Sequence, residues 1–274
     1  MESKENLNIE GTMPIVSVVT VVYNDFLHIE HTIKSVLNQT YSNIEYIIID
    51  GGSTDGTNEV IKKYENKISK WISERDNGIY DAMNKAIELA TGEWVIFMNS
   101  GDSFYNSRVI KESLNESYPL NTAIIYGDVE LDFGNNKKLV KSFGRIPENK
   151  VATELCHQSV ITKTSVLKKI KFDTSYKIMA DLKSFNQIYL LGYKLKYTST
   201  IMASYEITSG VSSTKPFLSF NETCRLKSIK KYSLSYFIQL ARAVRTYMML
   251  NLCPKYIYDY IRYCKIKSIK KYKK

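Results

Sequence analysis

The sequence predicts an α/β fold: a mostly parallel sheet flanked by helices, followed by a helical, basic extension. Three observations carry that expectation. Apolar, largely β-branched runs at 15–22, 45–50 and 94–98 read as strands buried on both faces. Helical periodicity fills the intervals between them, which is the βαβ alternation of a parallel sheet. From Arg225 onward the composition changes, with 14 Lys or Arg against the single acid Asp259.

The first strand, "IVSVVTVV", is followed by Asn24 and Asp25, which can cap a helix whose Ile29, Ile33, Val36 and Leu37 recur at helical spacing. "EYIIID" is the second strand, and it runs into the glycine-rich turn "GGSTDGT". A short helix around Asn58 to Tyr64 and a short strand at 70–73 come next. "RDNG" then opens a helix over 79–90 with the stripe Ile79, Met83, Ala86, Ile87 and Ala90. Gly92 stops it, and "EWVIFMNSGD" follows, an apolar strand that ends in a polar turn with one carboxylate, Asp102. Residues 123–132 and 137–143 read as further strands, a hairpin across "FGNN". Helices are expected around 163–170 and 180–191, the second ended by Gly192. Residues 205–213, "YEITSGVSS", read as a flexible loop near the site.

In parallel sheets, ligands bind outside the carboxyl ends of the strands. Asp50, Asp76 and Asp102 each fall just after a strand, so three carboxylates share one rim. Each alone is an ordinary turn former; together they suit a cation-assisted phosphate site. "GGSTDG" lacks the lysine and the spacing of a phosphate-cradling P-loop. Asp81, Asn84 and Lys85 share a helix face, where an Asp81–Lys85 ion pair is the simplest reading.

The chain has 274 residues, 44% of them hydrophobic, enough for one large domain with an appendage. Cys156, Cys224, Cys253 and Cys264 lack metal-ligand spacing and read as free thiols in a reducing compartment. No apolar run approaches the ~18 residues that span a bilayer, and no leader pattern opens the sequence. A cytoplasmic protein is expected. Residues 1–224 carry 24 basic and 27 acidic side chains, so the net +10 resides in the tail.

"VSVVTVVYND", "SVLNQTYSNIEYIIIDGGSTDGT", "DNGIYDAMNKAIELATGEWVIFMNSGD" and "CHQSVITK", in that order, resemble the family 2 glycosyltransferases. These are inverting enzymes with a Rossmann-like glycosyltransferase-A fold. The resemblance is close from about Ile15 to Gln158 and looser to about Val211. It implies a nucleotide-sugar donor, UDP-linked by expectation, with Mg²⁺ or Mn²⁺ bridging its phosphates. "NSGD" occupies the place of the family's Asp-x-Asp metal motif, which assigns the cation to Asp102, with Asn99 beside it. Gly101 stands where many relatives have a second Asp. After the second strand, relatives often read Asp-Asp-Gly-Ser and use the second Asp on the base; here Gly51 replaces it, and the contact is lost or passes to Asp50.

The resemblance also places Tyr23, Asn24, Asp76 and Asp81 on the donor and Lys85 on its phosphates, though Tyr23 equally suits a core position. It nominates Asp181, in "YKIMADLKSF", as the general base, a residue that also suits a helix N-cap, with Asp173 the weaker choice. His157 and Gln158 fall on the acceptor side, where a structural histidine is an equal reading.

The implied organisation is a flexible 1–12, a catalytic domain over 13–214 and a helical, Tyr-rich, basic extension over 215–274. That extension mixes Tyr and Ile with Lys and Arg, as interfacial segments do, which suggests a membrane surface as its partner, on the inner face of the plasma membrane. The implied reaction is sugar transfer to a saccharide or lipid-linked saccharide in bacterial surface-polysaccharide synthesis. Two other classes compete. A degenerate nucleotide-binding relative is left open by Gly51 and Gly101. A nucleic-acid-binding protein acting through its tail is disfavoured, because residues 1–224 are net acidic and no nucleic-acid partner is expected.

Overall fold

The computed structural model describes residues 13–115, 117–134, 137–146, 155–208, 210–268 and 272–273. The expected flexible N-terminus, 1–12, lies outside the described residues, as do the tip of the "FGNN" hairpin and Ser209.

The first half alternates β1 (Val16–Val22), α1 (Ile29–Leu37), β2 (Ile44–Asp50), α2 (Thr57–Lys62), β3 (Lys70–Ser73), α3 (Ile79–Leu89) and β4 (Trp94–Phe97). Strands β3, β2, β1 and β4 lie side by side and parallel. Their side chains alternate between two apolar layers, as the two-residue strand period requires. Val16, Val18, Ile48 and Ile96 pack with Ile29, Ile33 and Val36 of α1. Val19, Ile47, Ile49 and Phe97 pack with Met83, Ala86 and Ile87 of α3. At the amino ends of the strands, buried Glu45 accepts hydrogen bonds from Ser17, Lys70 and Thr91.

The second half departs from a mostly parallel sheet. After β5 (Ser103–Phe104) and α4 (Val109–Leu114) come β6 (Thr122–Asp132), β7 (Lys138–Lys141), β8 (Val160–Lys163), α5 (Thr164–Ile170), α6 (Ala180–Leu190) and β9 (Lys194–Glu206). β8 inserts between β4 and β6, antiparallel to both. β7 is antiparallel to β6, and β9 runs parallel beside β6 with register shifts. The resulting sheet is mixed. The loop expected over 205–213 is in part structured, since β9 continues to Glu206 and α7 (Val211–Thr214) follows.

Three helices complete the chain: α8 (Pro216–Leu226), α9 (Leu234–Leu252) and α10 (Lys255–Lys267). They do not hang free. Glu222 of α8 accepts the successive backbone N–H groups of Lys177, Ile178 and Met179 at 2.6, 2.9 and 3.0 Å. Arg262 of α10 donates to the Ile207 carbonyl at 2.7 Å, and Tyr263 packs edge-on against Phe133. The last strand, β10 (Tyr272–Lys273), pairs antiparallel with β7.

Candidate active site

Antiparallel β8 brings distant residues together. β4 hands the chain to the turn 99–102, while β8 enters beside it from the opposite direction. The single helical turn His157–Ser159 that precedes β8 therefore lies over the carboxyl end of β4. There Gln158 Nε2 donates to Asp102 Oδ2 at 3.0 Å. His157 Nε2 is 3.9 Å from the same oxygen and 2.9 Å from Asn99 Nδ2. Its Nδ1 faces Asp181 Oδ2 at 3.1 Å. With the proton on Nδ1, a neutral imidazole donates to Asp181 and accepts from Asn99.

Asp181 lies in the first turn of α6, where the helix dipole favours a carboxylate, while the N-cap position belongs to Met179. Its Oδ1 accepts from the Leu182 N–H at 2.8 Å, and the Tyr80 hydroxyl is 3.1 Å away. The same hydroxyl is 2.7 Å from the Ile178 carbonyl oxygen, so α3 and the Glu222 clamp hold one loop from two sides. Asp173, the weaker candidate, is tied to Lys183 and Ser175 instead.

Burial lifts the Asp102 carboxyl to about 6, against the opposing pull of His157 and Gln158. Burial would lower the His157 pKa, but Asp181 and then Asp102 outweigh it and raise the ring above its usual value. Asn99 Oδ1 and Gln158 Oε1 are buried without a hydrogen-bond partner among the described residues. Unpartnered buried acceptors are costly, and a cation would satisfy them. Among the described residues no three His, Cys, Asp or Glu side chains cluster as a metal site. One carboxylate with nearby amide oxygens still fits Mg²⁺ or Mn²⁺ when phosphates and water complete the shell. Gly101 has φ +90°, a conformation other residues rarely adopt, so the turn itself favours glycine there.

The residues expected on the donor side follow the carboxyl ends of β1 and β2 and the start of α3. Tyr23 is 64% exposed and offers its ring outward, which removes the core reading. Asn24 accepts from the Thr54 N–H at 2.9 Å, and its own N–H donates to Ser53 Oγ at 2.7 Å. Asp50 is fully buried, and its oxygens accept from Gly52 N, Ser53 N, Ser53 Oγ and Ser73 Oγ. These bonds shape the turn. Asp76 lies beside it: a Cβ on Gly51 would stand 2.5 Å from Asp76 Oδ2 and 3.3 Å from the Tyr23 ring. Asp81 accepts from the Asn77 N–H at 2.9 Å, and Lys85 pairs with Glu74 at 2.7 Å and Asp81 at 3.9 Å. A separate cavity of about 780 Å³ opens behind Gly101, between α1 and the β6–β7 hairpin, and contains none of Asp76, His157 or Asp181.

Gln158, expected on the acceptor side, donates to Asp102. Asp25, read as a helix cap, makes no side-chain cap and instead accepts from Ser100 Oγ at 2.6 Å and meets His28. Asp25 thus adds a second carboxylate near the turn that lacks one at Gly101. Sequence reasoning also missed Tyr80, although it sits inside "DNGIYDAMN", and Glu222, for which no local signal exists.

Residues 17–178 match the model of glycosyl transferase family 2. A PGL/p-HBAD biosynthesis glycosyltransferase of Mycobacterium bovis is 26% identical over 212 residues, covering 73% of this chain and 80% of the relative. The putative teichuronic acid biosynthesis glycosyltransferase TuaG of Bacillus subtilis is 41% identical over 103 residues, 36% of this chain and 40% of its own. Among solved structures, S. aureus TarS 1-349 in complex with UDP superimposes with TM-score 0.59 at 19% identity, over 86% of this chain and 73% of that one. A mannosyltransferase from Pyrobaculum calidifontis, PcManGT, in complex with GDP-Man and Mn²⁺, gives 0.65 at 16% identity, over 95% and 78%. At those identities the structural likeness shows the glycosyltransferase-A fold.

Proposed function

The chain belongs to glycosyl transferase family 2, and on that premise we propose that it moves a sugar from a nucleotide-sugar donor to an acceptor hydroxyl with inversion. The acceptor in this reading is a saccharide or lipid-linked saccharide, and the pathway builds a bacterial surface polysaccharide or glycolipid. The names of the mycobacterial and Bacillus relatives favour that pathway. The UDP, UDP-GlcNAc and GDP-Man complexes of the structural neighbours favour the donor class, with a UDP-linked sugar as the first candidate.

The observation that carries the reading is the line Asp102–His157–Asp181 at the carboxyl end of β4, on the same rim of the sheet as exposed Tyr23. One imidazole links two buried acids there, and the reading gives Asp102 to the diphosphate and Asp181 to the acceptor. Inverting transfer is a direct displacement, so the acceptor hydroxyl must lose its proton as the new bond forms. Asp181 is the base in this proposal, and His157 and Tyr80 fix its orientation. A dyad, with His157 taking the proton and Asp181 holding its Nδ1–H, is a second reading favoured by the engagement of both Asp181 oxygens. Tyr23, Asn24 and Asp76 receive the nucleoside, while Asp50 shapes the turn beneath it. Asp81 and Lys85 lie on the donor side in this reading.

Asp102, with Asn99, would hold Mg²⁺ or Mn²⁺, and Gln158 would fix the Asp102 carboxylate. When bound, the cation supplies charge stabilisation to the departing diphosphate. Residues 13–214 form the catalytic domain in this reading. The extension over 215–274 braces it through Glu222 and lies against a membrane surface. The degenerate alternative keeps nucleotide binding and loses turnover.

Calorimetric titration with UDP, UDP-GlcNAc and GDP-mannose, with and without Mn²⁺, tests the reading together with release of nucleoside diphosphate. Metal-dependent binding and slow donor hydrolysis are expected. Absence of binding by every nucleotide sinks the proposal, and binding without any hydrolysis or transfer selects the degenerate alternative.

A further inference from the structure

Helix α9 presents two opposite faces, and one of them is uncovered. Ala243 is buried, and Tyr236 packs edge-on against Phe220 of α8 with ring centroids 5.2 Å apart. On the far side Leu234, Phe237, Ile238, Val244, Met248 and Leu252 are all exposed, the two end leucines at 78% and 76%. Successive residues in a helix turn by about 100°, which gathers these six into one stripe roughly a third of the circumference wide. From Leu234 to Leu252 the stripe is about 27 Å long at 1.5 Å per residue.

Charge decides what covers it. Arg242 is exposed beside the stripe and Arg245 within it, where its long stem can lie along apolar surface while the guanidinium reaches outward, and no acid occurs between Glu222 and Asp259. A second copy of this chain would set arginine against arginine with no carboxylate on either α9 to separate them. Nucleic acid would match the charge but not an exposed aliphatic face. An anionic bilayer matches both: acyl chains take the leucines, and lipid phosphates take the guanidinium groups. No helix among the described residues is long and apolar enough to cross a membrane, so α9 would lie in the plane of the surface. Tyr232, Tyr247, Tyr256 and Tyr260 are exposed as well, the residue type that settles at headgroup depth.

We propose that α9 is the membrane-docking element, seating its exposed aliphatic stripe in the acyl–headgroup boundary of an anionic leaflet while Arg242 and Arg245 bind lipid phosphate. This deepens, and rests on, the lipid-surface part of the proposed function. Through α8 the same helix is coupled to the loop ahead of Asp181, so the surface that meets lipid also supports the site.

The test uses the full chain and vesicles of phosphatidylcholine with or without about one third phosphatidylglycerol. Partition is expected to be at least about tenfold stronger with the anionic lipid and to fall when ionic strength is raised to about 0.5 M. The double variant Phe237→Ser/Met248→Ser should lose binding by at least about tenfold. Arg242→Gln/Arg245→Gln should lose about thirtyfold, and only on anionic vesicles. Both pairs are exposed, so circular dichroism and nucleoside diphosphate binding should be unchanged, which keeps this outcome separate from the enzymatic reading. Unaltered partition of the serine variant, or no binding of the parent chain to anionic vesicles, overturns the proposal. A lipid-free dimer that the serine variant converts to monomer also overturns it and assigns the stripe to a second copy.

Discussion

Gly51 and Asp76 share one small volume: a Cβ at residue 51 would come within 2.5 Å of Asp76 Oδ2. The Asp76 Oδ1 accepts from the Gly78 N–H at 2.8 Å, which fixes the side chain in this pose. Gly51→Ala should therefore displace the carboxylate. A hydrogen bond to a charged group contributes on the order of 1.5–3 kcal/mol, so nucleoside diphosphate affinity should fall roughly 10- to 100-fold. Asp76→Asn should lose a similar amount, and the double variant should lose less than the sum. Additive losses in titration calorimetry would show that the two positions act independently.

Asp102→Ala should abolish transfer and the metal-dependent part of donor binding. Metal-free nucleoside binding, which the proposed function gives to Tyr23 and Asp76, should persist. Normal Mn²⁺-dependent activity in this variant removes Asp102 from the cation.

Asp181→Asn keeps the side chain's size and its place in the first turn of α6. Loss of a general base is expected to lower turnover ~10²- to 10⁴-fold while donor affinity holds. His157→Gln separates the two readings of the base. A loss as large as that of Asp181→Asn supports the dyad, whereas a markedly smaller one leaves Asp181 as the base. Near-normal turnover in Asp181→Asn would exclude both.

Glu222→Gln places an amide among three N–H groups that now share one carboxylate. The loop 177–179 should loosen, lowering kcat about tenfold or more through Asp181 placement, with the donor KM unchanged. A rise in donor KM with kcat preserved would mean that the clamp serves another purpose.

Glu45 makes stability depend on acid. Burial alone would raise its pKa, yet hydrogen bonds from Lys70, Ser17 and Thr91 bring it from 4.5 to about 2 in the folded chain. A depressed carboxyl stabilises the fold above its unfolded pKa and ceases to do so as pH falls through the folded value. The shift corresponds to about 3 kcal/mol at neutral pH. Glu45→Gln should be less stable by that order at pH 7, and the difference should shrink between pH ~4.5 and ~2. Denaturation midpoints at both ends of that window check the sign.

The parallel half was legible because its signals are local. β1 is buried along its whole length and reads as an unbroken apolar run, and the stripe of α3 repeats at helical spacing. β9 was missed because it alternates Lys, Tyr, Ser and Thr with few fully buried positions, resembling a polar connection. The location of Gln158 was illegible for another reason. It depends on β8 entering antiparallel beside β4, a pairing between residues far apart in sequence. Asp25 was visible as an acid but not as a partner of Ser100, since that contact spans 75 residues.

The clamp by Glu222 has a consequence for biosynthesis. The carboxylate follows Lys177 by 45 residues, so at ~5–20 residues per second the ribosome delivers it some seconds after the loop it closes. During that interval the nascent chain already contains Tyr23, Asp102, His157 and Asp181, but the loop leading to Asp181 lacks its brace. On the proposed reading, full catalytic competence is thus among the last properties the chain acquires, and a polypeptide released before Glu222 would carry these four residues with the loop ahead of Asp181 unbraced.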